Sequence, residues 1–319
     1  MNLYRDFTPQ EEIDREYNVG AVVPDSAQWL ERYRHESAMA RREIECLLDL
    51  RFGPTRDETL DVFPAPQPGA AVLVFIHGGY WRSGSSKDFS LVARGPVARG
   101  ITVVVRNYSL CPSVTIAEIT RQSRALIAWL HREAPRFSAD PGRIFAAGHS
   151  AGGQQVGMMA ATDWPGEYGL PAEIVRAGGI PVSGIFDLQP LRYSYLQPKL
   201  QLTHEVILRQ SPLLNIPPSG PPLLITLGDG NRRVPAAIDP LPRGLEGERA
   251  PRRAADPGGQ APLLRHRWPD RPPEPTLSGA RHFHGQPRAG TCLKARIVKP
   301  AQKTDFLPGQ RRLGDVGSK

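Results

Sequence analysis

Gly148-His149-Ser150-Ala151-Gly152-Gly153 follows the apolar run Arg143-Ile144-Phe145-Ala146-Ala147 and precedes a helical stretch over 151–161. A serine hydroxyl is a weak nucleophile unless a sharp turn holds it out against a base. A strand-to-helix turn with small residues around a central serine does that. Gly148, Gly152 and Gly153 suit such a turn, because the backbones on either side of it approach closely. An incidental serine in a glycine-rich loop would share the composition, but nothing would fix it between a strand and a helix. Ser150 is therefore the candidate nucleophile.

The pattern repeats outward from this turn. Ala71-Val72-Leu73-Val74-Phe75-Ile76 and Ile101-Thr102-Val103-Val104-Val105 are apolar runs of strand length, as are 177–182 and 222–227. Between them, 116–130 carries Ile116, Ile119, Leu126, Ile127 and Leu130 at helical spacing. Continuous apolar strands alternating with helices predict an α/β fold, a mostly parallel sheet with helices on both faces. Reactive loops of such a sheet gather at the carboxyl ends of its strands. Residues 1–60, with Trp29, Tyr33, Met39, Ile44, Leu47 and Leu48 spaced as on helices, read as a helical lead-in to a domain spanning 1–228.

A second motif, His77-Gly78-Gly79-Tyr80-Trp81, stands directly after the predicted strand 72–76. Backbone N–H groups in such a loop, with that of the residue after the nucleophile, can hold the oxyanion of an acyl-transfer intermediate. Gly78, Gly79 and Ala151 are the expected donors. His77 is expected to buttress the loop rather than act as a base. Tyr80 and Trp81 are candidates for stacking on an aryl substrate, with ordinary packing as the alternative.

These two motifs, with Tyr108-Ser109-Leu110-Cys111-Pro112, Thr162-Asp163-Trp164, Ser183-Gly184-Ile185-Phe186-Asp187-Leu188 and Ser211-Pro212-Leu213, resemble the arylformamidase (kynurenine formamidase) branch of the α/β-hydrolases. The resemblance covers roughly 15–228. It implies hydrolysis of an N-formyl arylamine, a small-molecule substrate, with no metal and no organic cofactor. Gln154 departs from it, standing where the family often carries histidine, and a tuning effect is expected. The order of the fold places an acid and then a histidine after the serine. Asp229 is the available carboxylate after the strand 222–227, with Asp187 as the alternative. Gly279-Ala280-Arg281-His282-Phe283 resembles the segment that carries the family's base, which points to His282. His284 and His266 are alternatives, as is a chance histidine.

Charge divides the chain. Its net +8 is concentrated after residue 228, the earlier part being nearly neutral, which argues against nucleic-acid binding by the front domain. Residues 229–319 are rich in Pro, Arg and Gly and poor in large apolar residues, too poor to build a core. They read either as a basic, disordered tail or as the product of a shifted reading frame in a GC-rich gene. Cys46, Cys111 and Cys292 form no disulfide pattern, and no run nears the roughly 18 apolar residues of a membrane span. A cytoplasmic protein with no membrane contact is expected, and a homodimer is left open. Two other functions stay open as well: a carboxylesterase on short acyl or aryl esters, and a degenerate hydrolase whose basic tail binds an acidic partner.

Overall fold

The computed structural model describes residues 2–23, 25–172, 174–175 and 178–227, and the backbone of 295–298. Its strands are β1 (Leu47–Arg51), β2 (Thr59–Phe63), β3 (Ala70–Ile76), β4 (Thr102–Arg106), β5 (Ala139–His149), β6 (Gly179–Val182), β7 (Leu223–Thr226) and β8 (Ala295–Val298). Its helices are α1 (Gln10–Tyr17), α2 (Val19–Val22), α3 (Ser26–Glu43), α4 (Arg94–Val97), α5 (Ile116–Glu133), α6 (Ala151–Ala160), α7 (Trp164–Tyr168), α8 (Gln197–Leu200) and α9 (His204–Gln210).

The strands form one sheet in the order β1-β2-β4-β3-β5-β6-β7-β8. The pairs β1–β2 and β2–β4 are antiparallel, and all others are parallel. Every apolar run singled out in the sequence between 71 and 227 is a strand of this sheet. The connections β4–α5–β5 and β5–α6–β6 both step the same way along the sheet. The right-handed rule for such crossovers therefore puts α5 and α6 on one face. Side-chain alternation then sorts β4. Val104 joins the large core with Ile119, Leu126 and Val156. Val103 and Val105 pack with Phe63 and Ala93 on the opposite face. Thr115 caps α5 by accepting the N–H of Glu118 at 3.2 Å.

The helical reading of 1–60 needs correction. Helices α1 to α3 occupy 10–43, but Leu47 and Leu48 belong to the edge strand β1, and Thr59 and Leu60 begin β2. The i, i+3 spacing of Ile44, Leu47 and Leu48 looked like helix continuation. The strand's pairing with β2 supplies the hydrogen bonds instead, leaving Leu47 and Leu48 exposed on the sheet edge. No helix among the described residues is long and apolar enough to cross a membrane.

Candidate active site

Ser150 follows β5 and holds the N-cap position of α6 with φ 55° and ψ −115°, a conformation outside the regions that a side chain normally permits. Such strain costs about 1–3 kcal/mol and persists only where surrounding contacts over-determine it. Here the Ser150 N–H donates to Val182 O of β6 at 2.8 Å, and Ser150 O accepts the N–H of Gln154 at 3.1 Å. The neighbouring glycines are steric necessities. A Cβ on Gly152 would collide with the carbonyl of Ile76, and one on Gly153 would stand 2.7 Å from the Cα of Gly184. The first turn of α6 is thus pressed between the ends of β3 and β6, with Ser150 at its tip.

The His77–Trp81 loop closes on this elbow from the β3 side. A Cβ on Gly78 would lie 2.9 Å from His149 O and 3.2 Å from Ser150 Cβ, so the Gly78 backbone stands against Ser150. Gly79 has φ 115° and accepts the N–H groups of Arg82 at 3.0 Å and Ser83 at 3.2 Å, which makes it the pivot of the turn. Ala151 is the first residue of α6, where a backbone N–H has no partner within the helix. The structure therefore brings Ser150, Gly78 and Ala151 together, with Gly79 one residue further around the turn.

His77 is fully buried and stacks between Tyr108 (centroids 4.2 Å) and Phe89 (5.5 Å). Its Nδ1 lies 2.7 Å from Gly78 O, so Nδ1 carries the proton and donates. Burial pushes its pKa down to about 4, which keeps the ring neutral at pH 7. Tyr108 donates its hydroxyl to His77 O at 3.0 Å and fixes the same loop from below. This is a buttress, as its type and position suggested. His149 is exposed along one edge and lies against Gly78 on the other, and desolvation by the protein around it lowers its pKa.

Tyr80 and Trp81 both have positive φ, 49° and 55°. Two consecutive left-handed aromatic residues are costly, and each is held by a named bond. Tyr80 Oη donates to Tyr17 O at 2.7 Å. Trp81 is fully buried, and its indole N–H donates to Gln154 Oε1 at 3.1 Å. That burial puts Trp81 in the core, away from the substrate-stacking role expected for it. Packing was the alternative the sequence left open. Tyr80 is only half-buried.

Gln154 does more than tune. Buried on the second turn of α6, it also donates to Gln210 O at 2.8 Å and accepts from Gln155 Nε2 at 2.7 Å. Gln155 continues the chain to Thr120 and Ser123, and Ser123 accepts from Arg106 Nη1 at 2.6 Å. Arg106 is wholly buried, its pKa pushed down to about 9 by desolvation, so it stays charged at pH 7. It lies 4.9 Å over the Tyr108 ring. Sequence spacing gave no sign of this network, since its members are ordinary helix-face polar residues until the fold brings them together.

Asp187, after β6, is nearly buried and both of its oxygens are engaged: Oδ1 accepts the N–H of Gln189 at 2.9 Å and Oδ2 the hydroxyl of Tyr4 at 2.5 Å. Asp229 and His282, with the alternatives His284 and His266, lie outside the described residues.

The chain is similar to several known proteins. A family model described as BD-FAE matches residues 60–167. Kynurenine formamidase of Danio rerio is 32% identical over 175 residues, covering 54% of this chain and 57% of the relative. Carboxylesterase NlhH of Mycobacterium tuberculosis is 33% identical over 98 residues, 30% of this chain and 31% of the relative. The chain thus spans little more than half the length of the fish formamidase it matches. Among solved structures, a protein of Silicibacter sp. TM1040 described as a thioesterase superposes with a TM-score of 0.61 at 28% identity, covering 72% of this chain and 84% of the other. Esterase B of Lactobacillus rhamnosis shares the fold at 16% identity, with a TM-score of 0.55 over 72% of this chain and 79% of its own. Strand order, elbow and glycine loop together are those of an α/β-hydrolase fold, and the chain is similar in sequence to kynurenine formamidases and carboxylesterases.

Proposed function

We propose that the protein is a serine hydrolase that cleaves the formamide bond of an N-formyl arylamine. The observation that carries this reading is the left-handed Ser150 at the tip of α6 with the Gly78 backbone against it. In the proposed reaction Ser150 Oγ forms a bond to the formyl carbon and gives its proton to a histidine. The carbonyl oxygen becomes an oxyanion facing the N–H groups of Gly78, Gly79 and Ala151. The C–N bond then breaks and the amine leaves with the histidine's proton. Water adds to the formyl-serine, the same histidine takes its proton, and formate departs as Ser150 is restored. His282 is proposed as that base and Asp229 as its acid. Asp187 is less suited to the acid's role, since Tyr4 and Gln189 already occupy its oxygens.

A short-chain ester would use the same donors and nucleophile, and the similarity to carboxylesterase NlhH favours that second reading. Parallel assays of the full chain decide between them. N-formylkynurenine turnover exceeding that of p-nitrophenyl acetate, both lost in Ser150→Ala, supports the formamidase reading. Ester turnover alone supports the second. A fluorophosphonate that fails to label Ser150 refutes both, since labelling needs an activated serine.

A further inference from the structure

Tyr108-Ser109-Leu110-Cys111-Pro112 plays no part in the reaction proposed above, yet it lies against the loop that does. It follows β4, and β4, β3 and β5 are neighbours in the sheet in that order. Three adjacent strand ends therefore present Tyr108, the 77–81 loop and Ser150 in a row. Tyr108 Oη donates to His77 O at 3.0 Å and lies 3.5 Å from Gly78 O. At the far end of the loop the Cys111 N–H donates to Trp81 O at 2.8 Å. Residues 108–111 thus grip the loop by its carbonyls at both ends.

The direction of those carbonyls dictates the direction of the N–H groups. In a planar trans peptide the C=O and the N–H point opposite ways, and the 77–78 and 78–79 peptides are both trans. His77 O is held by the Tyr108 hydroxyl, and Gly78 O by His77 Nδ1 at 2.7 Å. Both side chains are buried, and their rings stack 4.2 Å apart. The Gly78 and Gly79 N–H groups must then face away from this buried pair. Among the described residues neither of them donates to another group. Successive N–H groups on one side of a turn make a seat for an anion, and this one borders Ser150.

Tyr108 is suited to hold such a turn. Burial raises its pKa, so the hydroxyl keeps its proton and donates it. The Arg106 guanidinium, 4.9 Å over the ring, polarises the phenol in a low-dielectric interior and strengthens that donation. We propose that Tyr108 is a positioning residue of the oxyanion loop. Its hydroxyl holds the His77 carbonyl, and through the stacked imidazole the Gly78 carbonyl, so that the Gly78 and Gly79 N–H groups are aimed at the oxyanion. The inference rests on the serine-hydrolase reading, and Tyr108 acts in it through the backbone without touching substrate.

Two measurements on the full chain test it. Tyr108→Phe keeps the ring and removes only the hydroxyl. In the folded variant kcat for the formamide or ester is expected to fall about thirtyfold with KM nearly unchanged, because the aim of the donors matters most in the transition state. A loss of stability alone, with kcat kept, overturns the proposal. The second measurement needs no turnover: formate is titrated while the Gly78 and Gly79 amide resonances are followed by NMR in chain carrying isotope-labelled glycine. Both amide protons of the parent are expected to move downfield, and Tyr108→Phe should raise the formate midpoint about tenfold. Parent amides that formate leaves in place, or a midpoint that ignores the substitution, overturn the positioning role even where a fluorophosphonate labels Ser150. Amides that respond to formate and depend on Tyr108, in a chain whose Ser150 is not labelled, refute the hydrolase reading and leave the positioning role standing.

Discussion

Gln154 shows what a single buried side chain does for the oxyanion loop. Trp81 is held left-handed, and its indole N–H is satisfied by Gln154, one turn into the nucleophile helix. Gln154→Met removes that acceptor and leaves several buried polar groups unpaired, at a cost of about 3 kcal/mol. Because the loop then relaxes away from the site, kcat should fall about tenfold with little change in KM. Thermal denaturation and steady-state kinetics check the two effects separately. Gln154→His, which keeps a ring-nitrogen acceptor, should recover part of both. His77 makes a second residue-scale prediction. It is neutral in the fold with a pKa of about 4, against an ordinary 6.5, so the unfolded chain binds the proton first as pH falls. Its contribution is complete above pH 6.5 and is lost progressively towards pH 4, at up to about 1.4 kcal/mol per pH unit. Urea midpoints at pH 7.5 and 5 should show the decline, and His77→Phe should flatten it. The buttress role of His77 was legible because its loop position leaves little else for it to do. Gln154 was not legible, because a glutamine on a helix looks alike whether it faces water or a buried indole.

Between elements, the seam of α5 and α6 is polar where most helix pairs are apolar. Ser123 on α5 accepts from Arg106 of β4 and donates to Gln155 of α6, so one hydroxyl links three elements. Ser123→Ala leaves a buried guanidinium short of an acceptor and should cost about 2–3 kcal/mol, read as a drop in the urea midpoint. Ser123→Thr keeps the hydroxyl and should cost much less. The same scale explains what the sequence revealed of the fold. Strands β3 and β4 are buried along nearly their whole length, so their apolar runs stand out against polar surroundings. Edge strand β1 has one paired side, and its Leu47-Leu48-Asp49-Leu50-Arg51 carries no clear period of two. Its pairing is decided by β2, which is distant information that a local pattern does not contain.

At the scale of the whole molecule, charge and chemistry occupy different stretches of the chain. The site residues that the structure brings together lie between 77 and 154, whereas the positive charge is concentrated after 228. Retention on heparin should therefore fall when Arg and Lys residues in 229–319 are replaced by Gln, and should be unaffected by similar changes on α3. Retention that depends on α3 instead would overturn this division. The turn at Ser150 and the glycine loop beside it were readable because each sits at a strand end within a short motif. Asp229 and His282 lie outside the described residues, and no local sequence pattern ties either of them to Ser150.

The contact of Gly153 with Gly184 works as a spacer of fixed thickness. A Cβ on Gly153 would stand only 2.7 Å from the Cα of Gly184, so at this point α6 and the chain after β6 meet backbone against backbone. No side chain can rotate aside to absorb an error there. A single added methyl at 153 must move the helix bodily, and a displacement of about 1 Å at a reacting atom can cost a hundredfold in rate. Drift in this seam would thus register first as misalignment at Ser150, before any loss of the fold.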